Sequence, residues 1–188
     1  MIVLQGKNIG KRYRRNWIFR KLEIAIHKGS RTAITGRNGA GKSTLLQILA
    51  SYLTPTEGEV VSEFSGIYLM GPYTELIEEM TLEELLAFYA TFKKQLIESK
   101  EATELARLPL NKPLLEFSTG MLQRVKILLG FYFENEVLFL DEPTSNLDRQ
   151  GINWWNTELE KQKGKTILIA SNDEEEIDLC EEKIQLAI

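Results

Sequence analysis

The stretch GRNGAGKST, Gly36 to Thr44, follows the strand-like run RTAIT (Arg31–Thr35) and leads straight into the helical-looking LLQILASYL. It fits G-x-x-x-x-G-K-[ST] in the context that pattern requires, after a strand and opening a helix. Its glycines let successive backbone N–H groups turn inward around phosphate oxygens. A lysine at position 42 reaches the β and γ phosphates of a nucleotide, and Ser43 offers a hydroxyl to Mg²⁺. The helix opening near Lys42 adds its positive dipole end. A plain glycine turn before a helix cap would not require Lys-Ser at that spot. Gly36, Arg37, Asn38, Gly39, Ala40, Gly41, Lys42, Ser43 and Thr44 are therefore read as the phosphate site.

The complement lies downstream in VLFLDEP, Val137 to Pro143. Four apolar residues predict a buried strand, and Asp141 stands where that strand emerges. Ligands of open parallel sheets bind at the carboxyl ends of strands. Asp141 is thereby a candidate to hold Mg²⁺ through its water shell. Glu142, next to it, is placed to polarise an attacking water as a general base.

Around these motifs, strands alternate with helices. LEIAIHKG (Leu22–Gly29) alternates like a half-exposed strand, and short strands are predicted near residues 58–61 and 67–70. TLEELLAFYATFKKQLI has helical spacing, with Thr81 as cap and Glu84 three residues on. Helices are also predicted over 101–107, from Ser118 onward and over RQGINWWNTELEKQ. KTILIAS reads as another buried strand. The expectation is an α/β fold with a parallel sheet, interrupted by an inserted helical subdomain over residues 72–117. Residues 1–71 and 118–188 form the remainder of one domain.

Composition narrows the class. With 43% hydrophobic and 27% charged residues in 188, the chain has an ordinary soluble balance and length for one core. A net charge of −4 provides no field toward nucleic acid or anionic lipid. The run KRYRR (Lys11–Arg15) is a local exception, read as a solvated face rather than a nucleic-acid patch. The single Cys180 excludes an internal disulfide and fits a reducing compartment. Neither a secretory signal nor an apolar run of about 20 residues is expected, which points to the cytoplasm.

Between the two motifs stands FSTGMLQRVKI, which resembles the LSGGQ-x-QR signature of ABC ATPases, and SNLD (Ser145–Asp148) follows the acidic strand as that family's D-loop does. The order of motifs is similar to that family over essentially the whole chain. The resemblance implies a P-loop NTPase core of RecA-like type with a small N-terminal antiparallel β subdomain. It implies ATP and Mg²⁺ as ligands, with Ser43 and Asp141 at the metal and Glu142 and Lys42 in catalysis. Ser118 and Gly120 would then contact the γ-phosphate of ATP held by the opposite subunit of a head-to-tail dimer, homomeric or heteromeric. Tyr13 occupies the place of the aromatic that stacks on adenine. A membrane-spanning partner would dock near Met70–Glu79, where Tyr73, Leu76 and Ile77 are expected to be exposed. The protein would then sit peripherally at the inner face of the membrane. The layout also resembles compact exporter-type subunits, without the regulatory extension some importers carry.

Four departures stand out. Thr119 and Met121 replace the signature's usual Gly and Gln. Gly71 falls where that family carries a glutamine that meets Mg²⁺, with Glu75 as a candidate substitute. ILIASNDE (Ile167–Glu174) puts Asn172 where the family has its switch histidine. The only histidine, His27, lies far upstream and is expected to be structural. Asparagine donates a hydrogen bond but cannot carry a proton charge. Asn172 therefore either faces the γ-phosphate or only caps the helix suggested by DEEEIDLCEE, a place for which Ser171 and Asp173 are equally suited. Of the adjacent Trp154 and Trp155, one is expected in the core and one near a surface.

The leading expectation is the ATP-hydrolysing subunit of an ABC transporter, slowed by the missing histidine and glutamine. The rivals are a weakly hydrolysing ATP-gated module and a non-transport ATPase acting on DNA or ribosomes.

Overall fold

A computed structural model describes residues 1–64 and 66–186. In chain order its elements are β1 (Ile2–Tyr13), β2 (Asn16–His27), β3 (Arg31–Thr35), α1 (Lys42–Leu49), β4 (Glu57–Ser62), β5 (Ile67–Met70), α2 (Leu82–Ala90) and α3 (Ser99–Ala106). They continue with α4 (Thr119–Tyr132), β6 (Val137–Asp141), α5 (Arg149–Lys161), β7 (Thr166–Ala170), α6 (Glu174–Asp178) and β8 (Glu182–Gln185). The chain divides into two compact units. One comprises Met1–Gly71, Glu136–Glu142 and the chain from Gly164 onward; the other comprises Pro72–Asn135 and Pro143–Lys163.

The first unit carries both sheets. A three-stranded antiparallel sheet has the order β2-β1-β4, and a five-stranded parallel sheet has the order β5-β6-β7-β3-β8. β6 and β7 are buried at every position. That is why VLFLD and TILIA read as unbroken apolar runs rather than alternating ones. Leu4, Ile9, Phe19 and Ile24 from the antiparallel sheet share one core with α1 and with Phe139 and Leu168 of the parallel sheet. Four apolar residues of α1, Leu45, Leu46, Ile48 and Leu49, are no more than 1% exposed. Each such burial contributes about 1.5–3 kcal/mol, so the helix behind the phosphate loop is firmly seated.

Register is what matters for function. Ile34 pairs with Ala170, Ala170 with Asp141, and Met70 with Leu140. All these strands are parallel, so Gly36, Asp141, Ser171 and Gly71 leave the sheet along one carboxyl edge.

The second unit is helical and takes in α4 and α5 together with residues 72–117. Its α2 begins with the predicted capping box, Thr81 accepting from Glu84 N and Glu84 accepting from Thr81 N. Trp155 of α5 is fully buried and stacks on Phe131 of α4 at 5.3 Å, while Trp154 is half-buried, the split expected of neighbours on a helix. Both indole N–H groups are buried without a hydrogen-bond partner among the described residues. Beside the stack, Tyr132 donates to the buried Glu158 at 2.6 Å, and Lys161 pairs with the same carboxylate at 2.7 Å.

Two elements depart from expectation. β8 was not anticipated: EKIQ has one apolar residue, Ile184, and its strand character comes entirely from pairing with β3. The helix from DEEEID is a short turn of five residues, Glu174–Asp178.

Candidate functional site

Two glycine-dependent features shape the phosphate loop. Gly41 has φ +97°, and a side chain there would meet Ile18 of β2 at 2.3 Å and the Phe19 ring at 3.1 Å. Only glycine allows the antiparallel sheet to press this closely on the loop. Gly41 is also the N-cap of α1, and no side chain among the described residues caps it. The first-turn N–H groups are therefore left for an anion. Lys42 is 6% exposed and donates to Gly36 O at 3.0 Å, which curls it back over its own loop.

Asp141 ends β6 in the same unit. Burial pushes its carboxyl above the ordinary range, and the charge of Glu142 pushes the same way; the hydroxyl of Ser43 and the charge of Lys42 act against them. Hydroxyl, buried carboxylate and lysine thus meet at one point. Glu142 follows in the left-handed region, φ +47°, with its N–H donating to Ala170 O at 2.9 Å. That conformation is costly for a residue with a side chain, by about 1–3 kcal/mol. The Glu142 side chain is exposed at the end of β6. Position 71 adjoins the pair: a Cβ on Gly71 would lie 3.4 Å from Asp141 Cβ, an ordinary contact. Bulk is therefore no barrier to a side chain at 71.

Asn172 does not cap α6. Asp173 does, accepting from Glu175 N at 2.8 Å, while Ser171 Oγ accepts from Asp173 N at 2.9 Å. The Asn172 amide instead donates to Oδ1 of Asn38 in the phosphate loop. Tyr13, at the end of β1, is 49% exposed with Lys11 Nζ 5.4 Å from its ring centre. Of the KRYRR cations, Lys11 also donates to Thr54 O at 2.8 Å, and Arg12 lies over the Trp17 ring. His27 is engaged structurally, its Nδ1 2.8 Å from Glu182 Oε1.

The second unit gathers the signature and the segment after Asp141. Ser118 is the N-cap of α4 and accepts from Met121 N at 3.2 Å. A Cβ on Gly120 would come within 2.7 Å of Asn146 O, so the helix start and the SNLD loop touch backbone to backbone. Gln123 donates to Pro143 O at 2.9 Å and to Ser145 Oγ at 3.3 Å. Asp148 accepts from Gly151 N at 2.7 Å and from Arg124 at 2.5 Å, and these hold its carboxyl below the usual range. Gln123 and Arg124 lie within the signature-like stretch, and nothing in their local pattern names a partner 20 or more residues away. Tyr73 and Ile77 are exposed, at 79% and 42%, whereas Leu76 is half-buried rather than exposed as expected.

Sought among known proteins, this arrangement is widely matched. The family description "ABC transporter" matches residues 19–145. The lantibiotic transport ATP-binding protein SrtF of Streptococcus pyogenes is 33% identical over 184 residues, covering 90% of this chain and 80% of that protein. The energy-coupling factor transporter ATP-binding protein of Ligilactobacillus salivarius is 35% identical over 155 residues, covering 69% of this chain and 54% of that one. Among solved structures, an ATP-binding subunit of an ABC transporter superposes with a TM-score of 0.86 at 24% identity, over 98% of this chain and 85% of that chain. A dimeric ATP-binding cassette in a post-hydrolysis state, bound to ADP and phosphate, gives 0.83 at 23% identity, over 97% and 94%. These structures carry the same fold: a P-loop α/β core with a parallel and a small antiparallel sheet.

Proposed function

This chain belongs to the ABC transporter family of ATP-binding proteins, and from that premise we propose that it binds and hydrolyses ATP to drive a separate membrane-spanning partner. The observation that carries the reading is the shared carboxyl edge of the parallel sheet, where the phosphate loop, Asp141, Glu142 and Asn172 lie together. Gly36 to Thr44 hold the phosphates through backbone N–H groups, and Lys42 neutralises their charge. Tyr13 offers its exposed ring to the adenine. Glu142 takes the proton of the attacking water, and Asn172 donates to the terminal phosphate.

The donor set suits Mg²⁺. A desolvated carboxylate beside a serine hydroxyl is a poor place for a bare charge and a good one for a hard cation. Among the described residues no group of three or more His, Cys, Asp or Glu forms a metal cage. That agrees with an ion held mostly by substrate phosphates and water. Bound there by Ser43 and Asp141, Mg²⁺ would offset charge on the phosphates.

Ser118 and Gly120 serve the nucleotide of a second subunit, so two chains close over two ATP molecules; dimeric cassettes of the same fold support this. Residues 72–117 act as the helical subdomain, presenting Tyr73 and Ile77 to the membrane partner. Among the described residues no helix is long and apolar enough to cross a membrane. On the transport reading, the partner holds the chain at the inner membrane face. Hydrolysis is slow by family standards, because Asn172 cannot carry a proton and Gly71 brings no ligand. Affinity capture from detergent extracts tests the transport reading: a polytopic membrane protein should co-purify. Recovery of only ribosomal or DNA-bound partners would overturn it.

A further inference from the structure

Position 172 is fixed on both flanks. Ser171 N donates to Ile34 O of β3 at 3.1 Å, and Asp173 is tied down by Ser171 Oγ and by capping α6. The side chain between them is left to the loop, where Nδ2 donates to Asn38 Oδ1 across 134 residues of sequence. Asn38 and Asn172 are both solvent-exposed, so their contact is not a product of core packing.

A primary amide has two unlike ends. Its nitrogen carries two N–H donors, and its oxygen only accepts. A phosphate is attracted to the first and repelled by the second. Asn38 presents its oxygen, and the nitrogen end of Asn172 is accordingly turned toward the loop. That contact uses one N–H and leaves the second for another acceptor at the loop mouth.

We propose that Asn38 is a positioning residue: it orients the Asn172 amide so that its free N–H meets the terminal phosphate of a nucleoside triphosphate, and the pair thereby favours triphosphate over diphosphate. The inference rests on the nucleotide-site reading above. On that reading the pair serves the third phosphate alone, and a diphosphate gains nothing from it. Without Asn38 the amide is free to turn its oxygen inward, and its donor is lost part of the time.

The test uses the 188-residue chain carrying Glu142→Gln to suppress turnover, with ATP and ADP affinities measured by titration calorimetry in Mg²⁺. Asn172→Ala should lower the preference for ATP over ADP by about tenfold, the scale of one charge-assisted hydrogen bond, and Asn38→Ala by about two- to threefold, since the amide keeps its donor but loses its fixed orientation. ADP affinity should stay within about twofold, since the lost bond is not made to it. The double variant should lose no more than the worse single variant, because both act through one contact. Asn172→Asp keeps the bulk but has no N–H to give, and should lose at least as much as Asn172→Ala. An unchanged preference in Asn38→Ala, or multiplied losses in the double variant, would overturn the positioning role while leaving the nucleotide site standing. If Lys42→Ala leaves both affinities unchanged, the nucleotide-site reading fails and the positioning role with it.

Discussion

At the edge of the parallel sheet, residues as far apart as Gly36 and Asn172 meet because their strands end in register. Around Ser118 the assembly is of another kind, with Gly120, Gln123 and Arg124 on one helix gripping the loop Pro143–Asp148 through a close backbone approach and three polar contacts. The first region is framed by buried backbone pairing, so side chains on its rim change without disturbing the frame. Gly71 and Asn172 are such changes. The second region is framed by the side chains themselves, and an exchange there moves the loop. Thr119 and Met121, the departures in that region, lie outside the grip. Thr119 is exposed and Met121 half-buried, while Gly120, Gln123 and Arg124 keep the contacts.

This contrast can be broken by substitution on either side. Lys42→Ala, in the first region, should weaken ATP binding by about 100-fold, the cost of removing one charged partner from a desolvated contact. Thermal unfolding should barely change, since the frame does not depend on that lysine. Gly120→Val, in the second, must push back the Asn146 backbone that lies 2.7 Å from its Cβ. Overpacking costs about 1–3 kcal/mol, so the melting temperature should fall by about 2–10 °C. Its ATP affinity as a lone chain should stay near that of the unsubstituted protein while hydrolysis is lost. A Gly120→Val chain that hydrolyses normally would show the two regions to be independent. Gln123→Ala removes two contacts to the loop, and a fall of about tenfold in turnover with unchanged nucleotide affinity is expected.

The smallest effect is a pH dependence. Asn172 has no titrating group, whereas histidine is ordinarily charged below about pH 6.5. In Asn172→His the imidazolium donates to phosphate at low pH and loses its charge as pH rises. The ratio of ATP affinities, His variant over Asn, should therefore grow by about threefold to tenfold between pH 8 and pH 6. A flat ratio measured by calorimetry across that range would place residue 172 away from the phosphate.

Much of the first region was legible in the residues. The phosphate loop and the acidic strand carry their reading locally, because turn glycines, buried apolar runs and a strand-ending Asp-Glu need no distant partner to be interpreted. β8 escaped because EKIQ has no strand pattern of its own and exists only through β3. The Asn172 question, cap or chemistry, was open because Ser, Asn and Asp serve equally well at a helix start. In the fold the cap belongs to Asp173, and the Asn172 amide donates to Asn38 instead. The roles of Gln123 and Arg124 were hidden for the same reason, since side-chain partners across 20 and 24 residues have no periodic signature.

The central claim is that Glu142, held in a left-handed backbone conformation at the end of β6, makes this chain an ATPase despite the two missing rim residues. Steady-state phosphate release from ATP by the unsubstituted chain and by Glu142→Gln tests it most directly. The account predicts that the unsubstituted chain is faster by about 10²-fold or more, the scale of a lost general base. Equal rates in the two proteins would contradict it.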